Sequence, residues 1–423
     1  MNEMIKVLDR LCSYNSVAVQ SDSKEAPYGE EVKKALKYVL SVCEDFGFRT
    51  KNCGNIIGWA EIGEGTEIVG IPVHLDIVPA GEGWDITPFG ATVTEDGKLV
   101  GRGVCDDKGP AVACIFAMRD ILEKKIKLNR RVRLIFGQTE ENGEWTDMEY
   151  YKANEELPAF GITPDGDFPA IYGEKGILNL KLSMSADKSG IIFAKGGNAP
   201  NMVADRAEAQ VNIGGEVRAL SETGKSAHGS MPWDGENAIS KLFKKLEELG
   251  VTEGFTRFYN DLIGFDLNGE RIGAGFSDEK SGKLVFNVGL LEADENECSI
   301  TVNLRCPVDC TAEQVQTAIE NKCAPYGVSV TKLGWQAPVY MDKNGGVVGA
   351  LVDVYREFTE DLTEPQVIGG GTYARAMDNI VAFGPSYPGM ELTEHQKNEY
   401  IPLNWFLRLR EIYFGAIVRL ANI

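Results

Sequence analysis

Only three histidines, His74, His228 and His395, occur in 423 residues, and each stands among acids, glycines or prolines, in HLDIVPAGEGW, GKSAHGSMPWDGENA and ELTEHQKNEY. In HLD the side chains of His74 and Asp76 leave the same face of an extended strand, because alternate residues point the same way. His74 can then ligate a metal while the Asp76 carboxylate holds its other ring nitrogen, an arrangement common around zinc. Further on, GRGVCDDKGP sets acids between glycines, where a tight loop lets a carboxylate swing toward a cation, and Asp106 is the candidate ligand. A carboxylate is also the group that can bridge two cations roughly 3.5 to 4 Å apart. Glu140 and Glu141 end the strand-like run RLIFGQTEEN. Neighbours in extended chain face opposite ways, so one of the pair can ligate while the other stays free to take a proton from water and pass it to a leaving amine. TPDGDFP offers Asp165 and Asp167, either of which can ligate. Each piece alone has an ordinary explanation as a strand end, an Asp-Gly turn or a solvated loop.

The elements that must position these groups are legible around them. EIVGIPVHLDIVP and RRVRLIFGQTEEN are short β-branched runs ending in polar residues, the pattern of buried strands whose carboxyl ends emerge at a site. Between them GPAVACIFAMRDILEKK reads as a helix. Before them EEVKKALKYVLSVCEDFGF reads as an amphipathic helix stopped by Gly47, and GFRTKNCGNIIGWAEIG as strands. Strands alternating with helices predict an α/β sheet with ligands at the carboxyl ends of its strands. After about residue 175 the texture becomes strand-rich, in ILNLKLSMSADKSG, AEAQVNIGGEVRALSETG and GKLVFNVGLLEADENECSITVNLRCP, with helices at GENAISKLFKKLEELG and TAEQVQTAIENKCAPYG. VVGALVDVYREFTEDL, PQVIGG and NWFLRLREIYFGAIVRLAN then return to the first pattern. The expectation is a discontinuous α/β catalytic domain at 1–175 and 338–423, a mixed sheet flanked by helices, with an α+β lid domain inserted at 176–337.

Composition narrows the partners. At 423 residues the chain is long enough for two domains. A net charge of -20, from 63 acidic against 43 basic residues, repels phosphate backbones and anionic lipid surfaces, so neither nucleic acid nor membrane is an expected partner. MNEMIKVLDRLC mixes charges into an amphipathic pattern and no run of about 18 apolar residues occurs, so export and membrane spanning are not expected. Nine cysteines, an odd number scattered through the chain, suit free thiols in a reducing cytoplasm. The close pair Cys306 and Cys310 has no nearby histidine or second pair and is not expected to hold zinc.

In order along the chain, HLDIVPAGEGW, GRGVCDDKGP, TEENGE, TPDGDFP, GKSAHGSMPWDGENA and GGTYARAM resemble the M20 family of metallopeptidases, and within it the PepV-like or Xaa-His dipeptidases. The resemblance implies a two-zinc centre, with manganese or cobalt as other fits, in which His74 and Asp165 hold one ion, Glu141 and His395 the other, and Asp106 both. It makes Asp76 the group orienting His74, Glu140 the general base, and His228 a lid residue stabilising the oxyanion, a role that needs a donor close to developing negative charge. Asn201 and Arg305 resemble lid residues that hold substrate, and Gly370, Gly371 and Arg375 a loop receiving its carboxylate. The implied substrate is a small peptide, mainly a dipeptide; the alternative is deacylation of N-acyl amino acids or acyl-diamino acids. Asp at position 165 favours the dipeptidase, and the long insert resembles the lid of monomeric members. Cys105, beside Asp106, is read as a small packed side chain, with a redox switch as the rival.

Overall fold

The strand expected in EIVGIPVHLDIVP forms over Ile68–His74 and that in RRVRLIFGQTEEN over Arg131–Gly137, paired in parallel with His74 opposite Gly137. All of Ile68–His74 is buried, as is Arg131–Gly137 apart from Arg131. Such unbroken burial is what strands covered on both faces require. Phe160–Thr163 pairs in parallel on the free side of Ile68–His74, and Ile380–Ala382 in parallel beyond it. Ile57–Ile62 and Arg49–Cys53 extend the other edge antiparallel. Since Ile68–His74, Arg131–Gly137 and Phe160–Thr163 run the same way, the segments that leave them share one rim.

The helices follow the predicted periodicities. Glu30–Asp45 buries one face and stops before Gly47, whose φ of +83° is the left-handed conformation that glycine adopts freely. Lys108–Glu123 is buried almost all round and packs against the last helix, Leu403–Leu420. Tyr400–Pro402, just before that last helix, pairs antiparallel with Lys98–Val100. Helices Glu3–Cys12, Thr146–Asn154 and Gly254–Leu262 were not among the sequence expectations.

The structure is a computed structural model describing residues 2–185 and 189–423. Met1, and residues 186–188 of the strand-rich stretch ILNLKLSMSADKSG, lie outside the described residues. The chain divides into two units, Met1–Tyr172 with Met341–Gln366 and Gly371–Ile423, and Gly173–Tyr340 with Val367–Gly370. Against the predicted limits of 176 and 337, the second unit starts and ends a few residues farther out and takes in Val367–Gly370. Its antiparallel sheet runs in the order Glu216–Thr223, Arg206–Ile213, Ile191–Gly196, Val285–Ala293, Glu297–Cys306, Gly176–Ser185, Ser329–Gln336. Helices Ala238–Glu248, Gly254–Leu262 and Ala312–Cys323 bury Leu242, Phe243, Phe258 and Ile319 in one core with Leu180, Val302 and Leu304 of the sheet.

Candidate metal centre

His74 closes its strand and is 1% exposed. Its Nε2 lies 2.8 Å from Asp106 Oδ1, while Nε2 of His395 lies 3.0 Å from the other oxygen, Asp106 Oδ2. Asp165 Oδ2 stands 3.9 Å from His74 Nε2, and Glu141 Oε2 stands 3.1 Å from His395 Nε2. One carboxylate therefore faces two imidazoles, and each imidazole has a second carboxylate beside it. Among the described residues, ligand atoms of His74, Asp106 and Glu141 all lie within 4.8 Å of one another.

The electrostatics fit a cation site. Burial disfavours charge on His74, yet Asp106, Asp165 and Asp76 together hold its pKa well above the ordinary imidazole value. His395 is raised by its hydrogen bonds to Asp106 and Glu141. Asp106 is buried, which opposes ionisation, but the two imidazoles keep it far below the usual carboxylate range. The carboxylates thus favour positive charge at the two imidazoles. A divalent ion competes for the same lone pairs, and a set of carboxylates and imidazoles suits zinc, manganese or cobalt. His395 also holds φ at +63°, a conformation that costs a side-chain-bearing residue about 1–2 kcal/mol and that recurs at functional sites.

Three sequence expectations need correction or resolution. Asp76 was expected to hold the second ring nitrogen of His74 through its carboxylate. Instead its backbone oxygen is 3.1 Å from His74 Nδ1, with the carboxylate at 3.6 Å. The carboxylate accepts from the amides of Glu140 at 3.3 Å and Glu141 at 3.0 Å, because the chain turns as it leaves Arg131–Gly137 and brings those amides round to it. Glu140 and Glu141 are not in extended chain: the strand stops at Gly137, and they occupy a turn closed by the Gly143 amide on Glu140 O at 2.9 Å. Of the two TPDGDFP acids, Asp165 faces His74, whereas Asp167 accepts from Gln366 Nε2 at 2.9 Å.

A cavity of about 270 Å³ opens over the cluster, lined among others by Asp106, Glu140, Glu141, Asp165, Gly371 and His395. Arg375 sits in the turn Tyr373–Ala376, outside that lining. Asn201, His228, Arg305 and Gly370 belong to the second unit. There His228 Nδ1 is 2.6 Å from Ser230 Oγ, Asn201 O accepts from the Gly229 amide at 2.7 Å, and buried Arg305 donates to Asn303 Oδ1 at 2.9 Å and to Gly369 O.

Glu399 escaped the sequence reading. It is wholly buried and accepts from the amides of Gly103 at 3.1 Å, Cys105 at 2.9 Å and Asp106 at 3.3 Å, and from Arg102 Nη1 at 2.7 Å. The pairing of Tyr400–Pro402 with Lys98–Val100 delivers it to the loop that carries Asp106. Burial and the Asp106 charge push its carboxyl up to about 7. Its only signal in the sequence was an acid four positions past His395 in EHQKNEY. The Cys105 thiol is buried, donates to Glu394 at 3.2 Å and is pushed well above its ordinary pKa by burial and that carboxylate, which makes it a poor redox sensor. All nine cysteines are free.

Residues 70–419 match the model of peptidase family M20/M25/M40. The chain belongs to this family. It is a metallopeptidase, a hydrolase. A Staphylococcus aureus protein named Putative dipeptidase SAB1611c is 36% identical over 458 aligned positions, spanning 99% of this chain and 97% of that one. Human carnosine dipeptidase 1 shares the fold at a TM-score of 0.63 and 14% identity, over 99% of this chain and 96% of that one. An M20 family metallo-carboxypeptidase of Sulfolobus solfataricus does so at 0.61 and 18%, over 100% and 99%. The M20 fold of an α/β catalytic domain with an inserted lid is therefore the fold of this chain. Among the described residues no helix is long and apolar enough to cross a membrane.

Proposed function

We propose that this M20 metallopeptidase is a two-zinc dipeptidase. The observation that carries the reading is Asp106, which presents one oxygen to each of two imidazoles at 2.8 and 3.0 Å. His74 and Asp165 would hold one zinc, Glu141 and His395 the other, and Asp106 both; manganese or cobalt fits the same donors. Zinc bound there supplies a Lewis acid that polarises the scissile carbonyl and acidifies water. Glu140 lines the cavity on the same turn as Glu141 without contributing to the ligand cluster, so its carboxylate takes the proton from the water and returns it to the leaving amine. Asp76, bonded to the amides of both glutamates, sets that turn against His74.

In the inserted unit, His228 would stabilise the oxyanion and Asn201, Arg305 and Gly370 would hold the substrate, with Gly371 and Arg375 receiving its carboxylate. The name of the Staphylococcus aureus relative supports a dipeptide substrate, and the acid at position 165 supports one with a free amino group. The enzyme is proposed to act as a cytoplasmic monomer on small peptides. The test is metal-replete protein assayed on dipeptides, tripeptides and N-acyl amino acids, with bound metal counted. Highest kcat/KM on dipeptides is expected. Preference for N-acyl amino acids would install the deacylase reading, and bound metal without hydrolysis would reduce the protein to a metal-binding one.

A further inference from the structure

Resting on the peptidase reading, we propose that Asp147 is a positioning residue: one buried carboxylate that sets two walls of the metal cavity against each other. Asp147 is fully buried in the first turn of helix Thr146–Asn154, where the positive end of the helix favours an anion. Its oxygens are taken by donors from two directions. From the strand end it accepts from the Gln138 amide, the Thr139 amide at 3.1 Å and Thr139 Oγ1 at 2.7 Å, immediately before Glu140 and Glu141. From the other side it accepts from the Tyr373 hydroxyl at 2.8 Å, immediately after Gly371 and Thr372. The Met148 amide adds a further bond at 2.6 Å. With its oxygens so filled, Asp147 is a brace and not a ligand.

Tyr373 carries the brace to the site. Its ring is edge-on to the His74 ring at 6.1 Å and to Trp145 at 5.8 Å. It packs with Ile57, Ile135, Met148 and Tyr151. It lies so close on the strand end that a Cβ at Gly137 would fall 2.4 Å from its Cε2, so glycine is required there. Behind it Thr372 Oγ1 accepts from the Ala374 amide at 3.1 Å and Thr372 O from the Arg375 amide at 3.0 Å, so the hydroxyl fixes the direction of Thr372 and Arg375 together. A buried anion is a poor way to stabilise a core, since an apolar pair of the same volume does at least as well. What the anion adds is direction: five donors converge on it, and none can swing away without leaving the others.

The test uses full-length Asp147→Asn and Tyr373→Phe and their double variant. Zinc affinity by competition with a chromophoric chelator is read beside kcat and KM on a dipeptide and beside the thermal midpoint. Asp147→Asn is expected to weaken zinc binding roughly 10- to 100-fold, the usual loss when a group behind a ligand is removed. Tyr373→Phe should bind zinc within about threefold of the parent but raise KM severalfold with a smaller fall in kcat, because it loosens the Thr372 wall, whereas the Thr139 amide, which also donates to the Tyr373 hydroxyl at 3.3 Å, keeps its 3.1 Å bond to Asp147. In the double variant the rise in KM should fall short of the product of the two single-variant rises, since both remove the same bond. A lowered thermal midpoint with unchanged zinc affinity and KM would leave Asp147 a fold residue only and overturn the proposal, as would fully multiplicative rises in KM. Should the parent hydrolyse no dipeptide, the dipeptidase reading falls, while the zinc affinity of Asp147→Asn still decides this one. Should Asp147→Asn not fold, the KM of Tyr373→Phe decides it.

Discussion

Glu399→Ala isolates a residue that touches no predicted ligand side chain yet holds the loop bearing one. The substitution strips three amides, those of Gly103, Cys105 and Asp106, of their acceptor and leaves the Arg102 guanidinium without its buried carboxylate. Each orphaned buried amide costs about 1–3 kcal/mol and breaking a buried ion pair about 3–5 kcal/mol. These figures overlap, because water entering the space vacated by the side chain can satisfy some of the donors. A net loss of about 3–5 kcal/mol is therefore expected in urea unfolding of metal-free protein, where bound metal cannot mask it. Because the Asp106 amide is among the three, the Asp106 carboxylate should also lose its setting between His74 and His395, weakening zinc roughly 10- to 100-fold. A variant within about 1 kcal/mol of the parent and within threefold in zinc affinity would show that the loop holds itself.

Glu140→Ala should keep its full complement of metal and lose about 10²- to 10⁴-fold in kcat; metal loss with normal activity per bound ion would reassign Glu140 as a ligand. His74 and His395 are held protonated by their carboxylate neighbours, so each must release a proton before its ring can bind a cation. Metal affinity should therefore keep rising with pH through and beyond the ordinary imidazole range, toward the raised pKa of His395 at about 11, with about two protons released per chain in calorimetry across buffers of differing ionisation enthalpy; pH-independent affinity would contradict the cluster. Under peroxide Cys105→Ser and the parent should lose activity at the same rate, because the buried thiol stays protonated; selective protection by serine would revive the switch.

Much of the site was legible because strands and turns impose short-range rules. Unbroken β-branched runs located both parallel strands, and placing polar residues at their ends located the rim. Asp76 does lie against the second ring nitrogen of His74, with its backbone oxygen at 3.1 Å and its carboxylate at 3.6 Å. Two-residue periodicity assumes extended chain, whereas after Gly137 the chain bends and turns, so the Glu140 and Glu141 amides reach the Asp76 carboxylate while the Asp76 backbone oxygen lies nearest the His74 ring. Tyr373 stood inside GGTYARAM without being singled out, since nothing in that string shows that its hydroxyl meets a carboxylate 226 positions earlier.

By itself the sequence determined the chemistry on offer: three scarce imidazoles, carboxylates in turns and strand ends, and an α/β order that collects strand ends at one rim. The residues alone left Glu140 against Glu141 and Asp165 against Asp167 open, and the family resemblance assigned Glu141 and Asp165; only the tertiary structure showed which of their atoms approach His395 and His74, and that Glu399 and Asp147 hold the loops in place. Local sequence encodes residue type and periodicity. Which oxygen lies 3 Å from which nitrogen depends on segments 289 residues apart, as Asp106 and His395 are, and only the packed sheet brings those together.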